Sequence, residues 1–276
     1  MLKKQLLPLL LTGVIFLALC VIYYGEILLL NTISKQHIVT HIRLQDILIG
    51  VTIYLKTSID FAIFIGNLMK THSTWQGRIA IETGTAVGNA LGTMVVLFIW
   101  NFFKEIPLLL FIMIVLASLV LFRLAKDGIE HAQDGIKTMP AWFKSVVDKT
   151  GVIIERINVI ISPILDKIVP HASMNFKKSL PWRELLIFSF TIPFILGLDD
   201  FAGYVPLFNI VNVFGFGIGV MLGHMILNLL LFISPSKTIT TVKNPVISYF
   251  GSLAFVGIAL WGLWEAFHVL AAGYLH

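Results

Sequence analysis

Apolar residues dominate seven stretches of this chain, at approximately 5–28, 45–68, 79–102, 106–123, 183–205, 208–233 and 246–271. A bilayer-spanning helix needs about 20 such residues, so the pattern predicts seven transmembrane helices. Between the fourth and fifth, residues 124–181 change character. Val146, Val147, Ile153, Ile154, Ile157, Ile160, Ile161 and Ile164 recur there at helical spacing among Lys and Asp. That spacing predicts one or two amphipathic helices on the inner membrane surface or against the protein itself. The first apolar stretch continues past Cys20 to Tyr24, and Leu19 is too large to precede a cleavage point. It reads as an uncleaved anchor rather than a signal peptide.

Two of the stretches carry the same tripeptide, Asp60-Phe61-Ala62 and Asp200-Phe201-Ala202. Each is followed by glycines at four-residue spacing, Gly84/Gly88/Gly92 and Gly215/Gly219/Gly223. Aligning these ladders also aligns Leu91 with Leu222 and Met94 with Met225. Recurrence of this kind reads as two copies of one unit. The expected organisation is an N-terminal anchor helix and outer loop at 1–44, a first three-helix repeat at 45–123, a cytoplasmic amphipathic segment at 124–181, and a second repeat at 182–276. An odd number of helices per repeat makes the second repeat inverted, as in many secondary transporters.

Charge placement orients the chain. With the N-terminus inside, Lys3, Lys4, Lys70, Arg78, Lys237, Lys243 and ten further basic residues from Arg123 to Arg183 face the cytoplasm, while Lys35, Arg43 and Lys104 face out. This follows the positive-inside rule and predicts an inner-membrane protein with its C-terminus outside. Composition agrees, with 57 % hydrophobic and 13 % charged residues and a mean hydropathy of +0.90. Soluble domains carry about a quarter charged residues. The net charge of +5 is explained by that orientation, so no nucleic-acid partner is expected. Cys20 is the single cysteine, which excludes an intramolecular disulfide and dithiol chemistry.

The chemistry sits where carboxylates enter apolar helices, at about 2.5–3.5 kcal/mol each on insertion scales. Thr57-Ser58-Ile59-Asp60 and Leu196-Gly197-Leu198-Asp199-Asp200 place small and hydroxyl residues beside the acids. A helix broken there would free backbone carbonyls to join the carboxylates as ligands. Asp60, Asp199, Asp200 and Ser58 are therefore candidate cation ligands. Lys56, one turn from Asp60, is a candidate ion-pair or coupling residue, as is Glu82. Glu82 and Asn89 on the third helix, with Asn209, Asn212, His224 and Asn228 on the sixth, form a polar set opposite the acids. Of these Asn212, His224 and Asn228 are candidate neutral ligands, and interhelical hydrogen bonding is the competing role for each. The glycine ladders are expected first as close-packing faces, with a gating role beside an ion path.

The segment Thr57-Ser58-Ile59-Asp60-Phe61, followed by Gly-Arg-Ile-Ala-Ile-Glu-Thr-Gly from Gly77, resembles the LysE superfamily of exporters. It is most similar to the cadmium-resistance and manganese-efflux branches. That resemblance covers about 45–123 and 183–271, and it implies two inverted three-helix repeats with Asp60 and Asp200 as their acids. The leading helix, the amphipathic segment and Lys56 stand outside it.

The leading expectation is thus a non-enzymatic transporter exporting a divalent cation by alternating access. Its partners would be the lipid bilayer, the transported cation (Mn, Cd, Ca, Zn, Ni or Co) and, as a candidate homodimer, a second copy of the chain. No tightly bound cofactor is expected. Hard oxygen ligands suit Mn²⁺ or Ca²⁺, and His224 would admit the softer ions. The alternatives are export of an amino acid or other small solute, with Lys56 meeting its carboxylate, an intramembrane aspartyl protease, and a membrane scaffold.

Overall fold

A computed structural model describes residues 2–136, 139–168, 180–196, 203–209 and 211–274. Among these the chain is all-helical. The helices are α1 (Leu2–Ile33), α2 (Leu44–Thr57), α3 (Ile59–Thr71), α4 (Trp75–Phe103), α5 (Pro107–Gly135), α6 (Ala141–Ile168), α7 (Trp182–Leu196), α8 (Val213–Ile233), α9 (Pro235–Val242) and α10 (Pro245–Tyr274), with a 3-10 turn at Val205–Asn209. Five are long and apolar enough to cross a membrane, and a sixth span arises if α2 and α3 count as one. The expected fifth span is described only as the 15 residues of α7 and, beyond residues 197–202, the 3-10 turn.

Two boundaries differ from the hydropathy pattern for local reasons. The span expected at 45–68 is two helices bent by 66° about Ser58. The span expected from 208 begins only at Val213, because the Asn212 side chain accepts the Gly215 N–H at 3.1 Å and caps α8 there. Within the expected amphipathic segment, α5 runs on to Gly135 and Ala141–Ile168 form one helix of 28 residues.

The chain divides into two compact units. The first holds residues 1–101, 172–200 and 211–239, and the second holds 102–171, 201–210 and 240–276. In the first unit α4 inverts the soluble-protein pattern. Gly84, Thr85, Gly88, Asn89 and Gly92 are buried, while Val87, Leu91, Val95 and Phe98 are exposed. Small and polar residues inside with large apolar ones outside is the arrangement expected where the surroundings are lipid. On α1 the buried stripe is Leu19, Tyr23, Ile27 and Leu30, at helical spacing. Tyr23 donates to the Val213 carbonyl at 2.9 Å and lies across Gly217, joining α1 to α8.

In the second unit α5 and α10 run antiparallel. Gly135 lies against Pro245, Gly128 against Ser252 and Gly262 against Ser118, while Phe111 meets Phe267 in an edge contact. Helix α6 folds back along α5 and inserts Phe143, Val147, Ile154, Ile161 and Leu165 into the core they share with Val120, Leu121, Ile129 and Phe255. The core spacing of four and seven leaves one face of α6 free, and Trp142, Ile153 and Ile160 on it are exposed.

Candidate functional site

The first unit is held by two glycine-lined contacts that mirror each other. A side chain at Gly84 or Gly88 of α4 would run into the α7 backbone, at the Leu186 and Phe190 carbonyls respectively. A side chain at Gly215 or Gly219 of α8 would meet α2, at Asp46 and at the Ile47 carbonyl. Gly50 completes the second contact from the α2 side, since a Cβ there would strike the Phe216 carbonyl oxygen. Gly223 carries the contact on to Tyr54 and Val51. Each ladder lets a backbone approach that any side chain would prevent. Gly92 is buried on the same α4 face.

Helix α2 therefore lies close to α8, and its break occurs at the far end of that contact. Ser58 is buried, with φ −84° and ψ 29°, and joins the last turn of α2 to the first turn of α3. Its N–H still reaches the Tyr54 carbonyl at 3.0 Å, and its own carbonyl receives the Ala62 N–H at 2.9 Å. Lys56 stands in the last turn of α2 and Asp60 in the first turn of α3. A cation at a helix C-terminus and an anion at a helix N-terminus are each favoured by the helix macrodipole. Lys56 is half-buried and Asp60 exposed. Asp199 and Asp200 lie outside the described residues.

A second polar group fills the interior between α1, α2, α4 and α8. Tyr54 Oη lies 2.5 Å from His224 Nδ1, and Asn228 Nδ2 lies 2.9 Å from His224 Nε2. The Asn228 amide also donates to Thr85 Oγ1 at 3.0 Å and reaches the Glu82 backbone carbonyl at 3.4 Å. A carbonyl only accepts, which fixes the –NH₂ end of Asn228 on that side. His224 Nε2 is then the acceptor, and a neutral ring carries its hydrogen on Nδ1 toward Tyr54. On the far side Thr12 of α1 donates to Glu82 Oε1. Glu82, Thr85, His224 and Asn228 are all 0 % exposed. Glu82 Oε2 and Asn228 Oδ1 are buried oxygens with no hydrogen-bond partner.

The expected site residues thus fall into separate places. Glu82, His224 and Asn228 belong to one connected cluster. Ser58 and Asp60 belong to the helix break, which Tyr54 links to that cluster. Asn212 sits apart at the start of α8. Its Oδ1 caps that helix and its Nδ2 donates to the Val39 carbonyl at 2.8 Å, so both ends of the amide are engaged. Both nitrogens of His224 are likewise engaged. Among the described residues no group of three or more His, Cys, Asp or Glu side chains is placed to hold a metal ion. Thr12, Tyr54, Thr85 and Gly50 were not expected. Thr12 is a single polar position in an apolar run, Tyr54 is one of several hydroxyls among 52–58, and the one signal for Thr85 is its place one residue after Gly84 on the ladder face.

No family model, curated protein or solved structure matches this chain.

Proposed function

We propose that the protein is a membrane transporter whose translocation path passes the break at Ser58. The observation that carries this reading is an apolar span bent by 66° at a buried serine, with an acid in the first turn beyond the bend. Broken helices at membrane depth occur where they line a cavity, and their freed carbonyls and half-helix ends bind ions. The substrate we infer is a divalent cation moving outward, with Asp60 and Asp200 as paired ligands from two repeats and Asp199 and Ser58 beside them. This is the arrangement implied by the resemblance to the cadmium-resistance and manganese-efflux exporters of the LysE superfamily.

The packing supports two inverted repeats around that path, in a seven-span chain with an inside N-terminus and outside C-terminus. The offset that carries Asp60 onto Asp200 also carries Asp46 onto Leu186 and Gly50 onto Phe190. Those residues meet the ladders of α8 and α4 in matching order. Ser118 and Gly128 on α5 are spaced as Ser252 and Gly262 on α10, in helices that run in opposite directions. An exporter of amino acids or other small solutes remains the second reading, favoured by half-buried Lys56 beside the break. A panel of metal-sensitivity assays on cells with and without the protein tests the first reading, followed by uptake into inverted vesicles. Protection against Mn²⁺ or Cd²⁺ that disappears in Asp60→Asn is the expected result. No change with any divalent ion would sink it.

A further inference from the structure

Glu82 is a fully buried carboxyl with no counter-charge beside it among the described residues. It makes no ion pair among the described residues, its Oε1 receives only the Thr12 hydroxyl, and its Oε2 has no partner. From α8 the neutral Asn228 amide reaches the Glu82 backbone carbonyl, and behind it the chain runs on through His224 to Tyr54 of α2. A buried carboxyl without a counter-charge and a buried amide oxygen without a donor are each unfavourable. Both occur here, on two side chains joined through the Glu82–Thr85 turn of α4.

We propose that Glu82, Asn228, Thr12 and Thr85 form a binding site for one dehydrated alkali-metal cation. The donor set is oxygen throughout: a carboxylate, an amide carbonyl and two hydroxyls with free lone pairs. Hard cations select such ligands. One formal negative charge balances a monovalent ion and leaves a divalent one with excess charge in a dry interior. Oxygens brought from α1, α4 and α8 supply a coordination shell that a proton would not use. His224 is a positioning residue in this site. By accepting from Asn228 Nδ2 it holds the amide with Oδ1 turned away from the ring. Tyr54 in turn holds His224 and lies one turn before Ser58, so occupation of the cation site and the geometry of the break share a common support. A role for this ion in driving transport rests on the reading of the protein as a transporter; its binding does not.

The test is thermal unfolding of the full chain in zwitterionic nanodiscs, followed by tryptophan fluorescence at fixed pH and chloride. Choline is replaced stepwise by Li⁺, Na⁺ or K⁺. A saturable rise in melting temperature with at least one alkali ion is expected, as for any ligand that binds only the native state. Glu82→Gln should abolish the rise, and Asn228→Ala should weaken the apparent affinity at least tenfold. Asp60→Asn should retain it, which separates this site from the proposed substrate site. If Glu82→Gln does not fold, the wild-type titration together with Thr85→Val decides the matter. A melting temperature that alkali ions leave where choline leaves it overturns the proposal. In a parallel pH series in choline, a melting temperature that moves with pH while alkali ions leave it unchanged at each pH also overturns it, and would make Glu82 a proton carrier. Retention of the full rise in Glu82→Gln overturns it as well. Alkali stabilisation without divalent transport would leave this site standing and remove the exporter reading.

Discussion

Gly262 on α10 seats the hydroxyl of Ser118 on α5, and the relationship is returned where Gly128 on α5 lies against the hydroxyl of Ser252 on α10. Each serine also turns its hydroxyl back onto its own helix, to the carbonyl four residues earlier, at 2.8 Å in both cases. Two antiparallel helices that exchange the same pair of contacts behave as if related by a two-fold axis. Gly→Ala within a helix normally gains about 1 kcal/mol of propensity. At Gly262 the added methyl would meet Ser118 Oγ and Pro206, and overpacking costs about 1–3 kcal/mol. Gly262→Ala and Gly128→Ala are therefore both expected to lower stability in detergent, and Ser118→Gly should restore the first. Stabilisation by either alanine would show that the two helices separate there.

The acids are expected to control transport without controlling folding. Asp60→Asn and Asp200→Asn should each abolish movement of the substrate at near-normal membrane levels, because they hold matched positions in the repeated tripeptide. Asp199→Asn should be milder, since it lies outside that match. Initial rates in vesicles, normalised to protein, provide the measurement. Full activity in either principal mutant excludes paired carboxylate ligands.

Orientation is checked by cysteine labelling in a Cys20→Ser background. Lys149→Cys on α6 should react only from the cytoplasmic side, and Lys104→Cys between α4 and α5 only from outside. Labelling of both from one face would remove the inverted arrangement.

The sequence made the helices and the ladders visible because lipid-facing positions impose long apolar runs and close backbones impose glycine. It also placed Glu82, His224 and Asn228 on the right helices. What remained hidden was their partnership with Thr12 and Tyr54. A single hydroxyl in a transmembrane run has no periodicity, and its partner lies far away in the chain. The bend was foreshadowed by Thr57-Ser58 beside Asp60. Its angle and the separation of α2 from α3 depend on packing against α8, which hydropathy does not report. The ladders' destinations were equally illegible. A glycine face announces a close neighbour without naming it, and α7 and α2 emerge as those neighbours only once the chain is folded.

Those destinations make the ladder substitutions specific. Gly88→Leu should push α4 away from the Phe190 carbonyl on α7, and Gly219→Leu should push α8 away from Ile47 on α2. Val95→Leu is the control, at an exposed position on α4, where leucine replaces lipid at little cost. Both glycine mutants should lose transport and detergent stability relative to that control. Equal behaviour in both measurements would reduce the ladders to composition.

The last expectation concerns the hydrogen-bonded pair at the centre of the first unit. Removing the imidazole by His224→Phe leaves the Tyr54 hydroxyl and the Asn228 amide facing an apolar ring. An unsatisfied buried polar group costs about 1–3 kcal/mol, so the single mutant should lose stability by at least that much. Tyr54→Phe removes the other end and leaves His224 Nδ1 without that partner. Because both mutations break the same bond, their effects should not add. The double mutant should be more stable than the sum predicts, with a coupling in the range of about 0.5–3 kcal/mol found for residues in contact. Chemical or thermal unfolding of the four proteins in one detergent gives the cycle. Strict additivity would mean that Tyr54 and His224 are neighbours without being partners, and would withdraw the support that links the break at Ser58 to the oxygens around Glu82.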